Sequence, residues 1–140
     1  MSSGEAAIET LLKNNNIKYK SQFTFNDCVS EQNNLLRFDF AIFNTKGELI
    51  ELIEYNGKQH YEPIEYFGGK KGFDTLQKHD QIKSDYCKNN NIKLIIIPYT
   101  INTNDLTLQD LEVDINVSFS QRNAHKSKTR QICCRSVQHQ

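Results

Sequence analysis

Little in this chain announces a partner or a cofactor. Its 17 lysines and arginines balance 17 aspartates and glutamates, so net charge gives no reason to expect an acidic or a basic surface as partner. Four cysteines, Cys28, Cys87, Cys133 and Cys134, contain no C-x-x-C pair, and the adjacent pair is badly spaced to chelate one ion, which argues against a zinc module. No apolar run is long enough to cross a bilayer and no secretory signal is legible. The expectation is therefore an intracellular protein, cytoplasmic or nuclear, with reduced thiols and no membrane partner. Zinc-finger, helix-turn-helix and long basic-helix patterns for reading a groove are all missing. A length of 140 residues holds one core, not two.

What charge there is lies unevenly. The last twenty residues carry five bases (Arg122, Lys126, Lys128, Arg130, Arg135) and no acid, which leaves 12 bases against 17 acids in the rest. That segment has no apolar periodicity. It reads as a basic, disordered or loosely docked tail over 121–140, following a single domain over 1–120. Such a tail adds salt-sensitive affinity for phosphates, or is simply a solvated end.

Periodicity predicts an amphipathic helix over Ser2–Lys13, with Ala7, Ile8, Leu11 and Leu12 inward. Strands follow at Ile17–Phe25, Leu35–Asn44 and Glu48–Tyr55, the last two joined as a hairpin around Thr45-Lys46-Gly47. Asn56-Gly57 marks a turn into a short extended segment ending at Tyr61, and Phe67 to Lys71 reads as a flexible basic loop. A second helix over Phe73–Asn89, a buried strand over Ile92–Ile97 and a last short helix over Leu106–Ile115, capped by Asn104 or Asp105, complete the series. The order α-β-β-β-α-β-α, with a helical crossover before the last strand, predicts an α/β fold: a mixed sheet flanked by helices.

The chemistry concentrates between Leu36 and Tyr61. Asp39 interrupts the apolar run Phe38–Phe43, where a carboxylate is costly to bury unless something neutralises it. Glu54 closes a second apolar run on the neighbouring strand. Two acids brought together repel unless a cation lies between them, and a divalent metal held by Asp39 and Glu54 resolves the conflict most simply. Gln59 and His60 follow directly, and an imidazole titrates near neutrality.

Taken in order, Gly4-Glu5, FDFAI (Phe38–Ile42), IEYNGKQHY (Ile53–Tyr61), the D-x-x-K-x-x-Y-C spacing of Asp80, Lys83, Tyr86 and Cys87, and IKLIIIPY (Ile92–Tyr99) resemble the PD-(D/E)xK nuclease superfamily. The branch they look most like is that of Vsr mismatch endonucleases and EDxHD homing endonucleases. The resemblance spans Gly4 to Tyr99 and implies a restriction-endonuclease-like fold that hydrolyses phosphodiester bonds of double-stranded DNA with Mg²⁺ or Mn²⁺. Carried over residue by residue, the motif falls on Glu5, Asp39, His60 and Asp80. Asp39 and Glu54 then hold the metal, His60 moves a proton, Gln59 orients water and Lys83 offsets phosphate charge.

Lys70, Lys71, Arg122, Lys126 and Lys128 are the candidate DNA contacts. A homodimer is the simplest way for a one-site chain to cut both strands. Two positions depart from the family: Ile96 stands where an arginine is frequent, and Asn56 stands where the superfamily's strand lysine would be, which favours a histidine-based mechanism. Plainer readings stand beside these. Glu5 completes an S-x-x-E capping box with Ser2, Asp39 pairs with Arg37, and Asp80 pairs with Lys83 along a helix. The alternative to an enzyme is a nucleic-acid-binding domain that keeps the fold without activity.

Overall fold

Two apolar stripes on β-strands need two covers, and the chain supplies one helix for each. The computed structural model describes residues 1–116 and 129–132. Helix α1 (Ser3–Asn14) starts at a complete capping box: Glu5 N–H donates to Ser2 Oγ at 3.2 Å, and Ser2 N–H donates to a Glu5 carboxylate oxygen at 2.8 Å. Strands β1 (Lys18–Val29), β2 (Leu35–Phe43) and β3 (Leu49–Asn56) run antiparallel in sequence. Helix α2 (Gly69–Asn89) then crosses over, and β4 (Lys93–Pro98) pairs parallel with β3. Strand β5 (Thr129–Gln131) adds in parallel to β4, giving a five-stranded mixed sheet in the order β1-β2-β3-β4-β5.

One face packs Ile8 and Leu12 of α1 on Phe40, Ile42, Ile53, Ile95 and Ile97. The other packs Cys87 of α2 on Cys28, Phe38, Ala41, Leu52 and Leu94. Phe38 and Phe40 are two residues apart on β2 yet belong to opposite faces, although side chains of a regular strand alternate with period two. The alternation therefore slips at Asp39. Gln22, which faces Asp39 across β1 between the pairs Ser21–Phe40 and Phe23–Phe38, has φ 53°, a left-handed value rare for a side chain of its kind. Full burial of two phenylalanines contributes roughly 2–3 kcal/mol each, enough to hold the strand around an irregularity. Such irregularities re-aim side chains next to active sites.

Several boundaries differ from expectation. Strand β1 runs on to Val29, because Ser30–Asn34 close a tight turn with Asn33 at φ 66°. The segment after Gly57 is a 3₁₀ turn (Lys58–His60), not an extended one. Gly68 (φ 91°) and Gly69 (φ 60°) start α2 directly, so Lys70 and Lys71 lie in its first turn rather than in a loop. No final helix forms among the described residues. Asn102 caps a 3₁₀ turn at Thr103–Asp105, and the single turn tied by Thr107 and Asp110 ends where Glu112 adopts φ 55°. Within the segment read as a tail, Thr129–Gln131 form a strand, with Ile132 buried in the core behind it. No helix among the described residues is long and apolar enough to cross a membrane.

Candidate active site

At the slip in β2 the regular ladder to β3 stops at Phe40–Ile53, and side chains take over the next backbone groups. Asp39 N–H donates to Glu54 Oε1 at 3.1 Å, and Tyr55 N–H donates to Asp39 Oδ2 at 2.7 Å. The two acids predicted to share a site thus lock each other's strand. Burial pushes the Asp39 carboxyl up to about 8, helped by the charges of Glu54 and Glu5 and opposed by the Tyr55 N–H. Glu54, 5 % exposed, is also raised by burial but is opposed by Lys83. The Lys83 ammonium stands 3.2 and 3.3 Å from the two Glu54 oxygens and 5.4 Å from the centre of the Phe38 ring.

Glu5 reaches this cluster because α1 begins against β3. Gly4 is buried, and any β-carbon there would run into the Tyr55 ring. The cap expected of Glu5 is present, and the same side chain lies within hydrogen-bonding reach of Asp39. Asp39 is tied to Tyr55 and Glu54 rather than to Arg37, its plainer alternative partner, and Lys83 to Glu54 rather than to Asp80.

The 3₁₀ turn after Gly57 brings His60 onto α2, where His60 Nδ1 lies 2.8 Å from Asp80 Oδ2. With Asp80 ionised, Nδ1 carries the proton and donates it, which leaves Nε2 for proton transfer. The His60 side chain is only 13 % exposed and borders two cavities, and the Asp80 charge acts on Glu54, so the two halves of the cluster sense each other. Gln59 folds its amide back over Gly57. Lys70 and Lys71 are exposed at the start of α2, whereas Arg122, Lys126 and Lys128 lie outside the described residues. Among the described residues, no three His, Cys, Asp or Glu side chains form a ready-made chelate.

Asn56, read from the sequence only as a turn residue and as the place of a missing lysine, belongs to the site in its own right. It is 6 % exposed, and its side-chain oxygen has no hydrogen-bond partner among the described residues. The signal was its position two residues after Glu54, on the same side of β3.

No protein-family model matches the chain, and no solved structure matches it. The chain is similar to uncharacterized protein 307L of invertebrate iridescent virus 6, 34% identical over 85 residues, which cover 60% of this chain and 42% of that protein. It is also similar to uncharacterized protein 033L of invertebrate iridescent virus 3, 40% identical over 55 residues, covering 39% of this chain and 28% of that one. Uncharacterized protein 094L of frog virus 3 is 41% identical over 51 residues, covering 35% of this chain and 33% of its own length. The chain thus spans less than half the length of these curated viral relatives, and it is similar to part of each.

Proposed function

We propose that the protein is a metal-dependent endodeoxyribonuclease of the homing or Vsr-like kind, which nicks or cuts double-stranded DNA by hydrolysing phosphodiester bonds. The observation that carries this reading is the mutual lock of Asp39 and Glu54, with Glu5 beside it and Lys83 as its counter-charge. Lys83 pairs with Glu54, so among the described residues a charge on Asp39 would stand without a counter-ion, beside Glu54 and Glu5 in a poorly solvated place. A divalent cation would take the place of the Asp39 proton and neutralise that charge.

The donor set fits Mg²⁺ or Mn²⁺. Mg²⁺ prefers oxygen, keeps several waters, and is commonly held by one or two carboxylates plus substrate phosphate, so a full protein chelate is not required. Asp39 would hold it, with Glu54 and Glu5 at its side. When bound, such a cation acidifies a water and stabilises charge on the phosphate.

The chain's own groups supply the rest. His60, oriented by Asp80, takes the water's proton at Nε2 as the water oxygen bonds to phosphorus and the bond to the leaving oxygen breaks. Lys83 pairs with Glu54 and opposes the rise that burial imposes on its carboxyl. The ammonium groups of Lys70 and Lys71 lie exposed for the DNA backbone. One site cleaves one strand at a time, so cutting both calls for a symmetric pair.

A non-catalytic nucleic-acid-binding domain is the second reading. The observation favouring it is that Lys83 already neutralises Glu54 without any metal. Incubation of supercoiled plasmid with the protein and Mg²⁺ or Mn²⁺ separates the two. Nicking or linearisation that disappears in Asp39→Ala and His60→Ala supports the enzyme. DNA binding with no cleavage in either metal supports the alternative.

A further inference from the structure

The His60–Asp80 pair is the wall between two cavities of unlike chemistry. On one side a cavity of about 410 Å³ is lined by Arg37, His79 and Lys83, cationic or protonatable groups suited to a phosphate. On the other side a cleft of about 760 Å³ presents Asn56, Gln77, Ser84, Gln131 and Tyr61, with Asp74 and Lys78 adding one charge of each sign. With Asp80 of its wall counted, this second cleft carries one more acid than base, beside several amides and an aromatic ring. Such a lining suits the edge and face of a nucleobase better than a phosphate: amides pair with base edges, and aromatic rings stack on bases.

The orphan oxygen of Asn56 sharpens the assignment. A buried carbonyl oxygen without a donor is costly, and Asn56 is more than nine-tenths buried while lining this cleft. The Tyr61 hydroxyl engages the Asn56 side chain and also donates to Gln131 Oε1 at 3.4 Å, so the lining is tied together across β3, the 3₁₀ turn and β5. What the oxygen lacks is an N–H or O–H donor.

We propose that this cleft is a nucleobase site. It takes one unstacked base of the substrate strand, beside the phosphate positioned near His60, and it favours bases that carry an exocyclic amine. This rests on the nuclease reading of His60 and Asp80. A paired base cannot enter without leaving the stack, so single-stranded or frayed positions bind best.

The test uses the full chain with cleavage blocked by Asp39→Asn. Fluorescent five-nucleotide strands carry dA, dC, dT or an abasic unit at the centre of an otherwise common sequence, and binding is followed by anisotropy. The strands with dA or dC should bind about tenfold more tightly than those with dT or the abasic unit, the size of one hydrogen bond to a buried acceptor. Adding Asn56→Ala or Asn56→Leu, each of which removes the acceptor, should bring that ratio close to one and leave abasic binding unchanged. Leucine keeps the shape of asparagine without a buried polar group, so its variant keeps the test valid if Asn56→Ala does not fold. Equal binding of all four strands, or a preference that survives both variants, overturns the base site and leaves the nuclease reading standing. No binding to any strand or to plasmid overturns both.

Discussion

Lys83 closes on both carboxylate oxygens of Glu54, at 3.2 and 3.3 Å, and opposes the upward push of burial on that carboxyl. Among the described residues Asp39 has no such counter-ion, and burial pushes its carboxyl up to about 8. The two acids are joined through backbone N–H groups, Asp39 N–H donating to Glu54 and Tyr55 N–H to Asp39.

Removing the ammonium should therefore be worse than removing an ordinary lysine. Lys83→Met leaves Glu54 buried without its partner, a change that costs about 3–5 kcal/mol in comparable buried pairs. Chemical denaturation of the two proteins at pH 7 reads the difference directly. A loss below 1 kcal/mol, the range of exposed pairs, would mean that the ion pair is solvated.

Asp39 gives the metal-free protein a specific pH dependence. Its carboxyl rises from the ordinary 3.8 to about 8 on folding, so the folded state binds the proton more tightly than the unfolded state does. That contribution is complete below about pH 4 and is lost as pH rises through 8. Asp39→Asn keeps an acceptor for Tyr55 N–H and has no charge to bury. In EDTA it should melt close to wild type in acid and clearly higher at pH 8.5, and parallel melting curves across that range would contradict the assignment.

Glu51 sits at the opposite end of β3, 2 % exposed, with one carboxylate oxygen unpartnered among the described residues. Burial raises it well above the usual carboxylate range against the pull of Lys93, and Glu112 adds to the rise. By the same sign rule its stabilising proton is lost as pH rises. Glu51→Gln should gain melting temperature over wild type progressively with increasing pH, and a gain independent of pH would point to packing alone.

Gly4 tests how α1 is coupled to the site. A β-carbon at this position meets the Tyr55 ring, so Gly4→Ala must displace the helix start or the ring, at a cost of about 1–3 kcal/mol typical of overpacking. Because Tyr55 N–H holds Asp39, cleavage should fall further than the stability loss explains, measured on plasmid well below the melting point. Unchanged cleavage in a destabilised variant would separate Glu5 from the site.

The central residues were legible where composition and position conflict. An aspartate inside Phe38–Phe43 and a glutamate closing Leu49–Tyr55 are costly choices, and their pairing follows from the hairpin. The first two helices, the three-strand meander and the parallel fourth strand were legible for the opposite reason: apolar period and turn residues agree there. The pairing of His60 with Asp80 was not, since 20 residues and a 3₁₀ turn separate them and no local pattern encodes that turn. Nor was the slip at Asp39, which lies opposite Gln22, a residue of another strand with a left-handed backbone. The expected helix at Leu106–Ile115 shows the limit of periodicity: Leu106 and Leu111 are buried, but from turns. Strand β5 was hidden because three residues of edge strand carry no period, and their placement comes from pairing with β4 and from Ile132.

The most direct measurement is a Mn²⁺ titration of the melting temperature, run at pH 8 on wild type and Asp39→Asn in parallel. A ligand that binds only the folded state raises its stability with concentration. The acid cluster predicts a rise in wild type that continues with metal concentration and is absent or much smaller in Asp39→Asn. Identical responses in the two proteins would contradict a divalent cation held at Asp39.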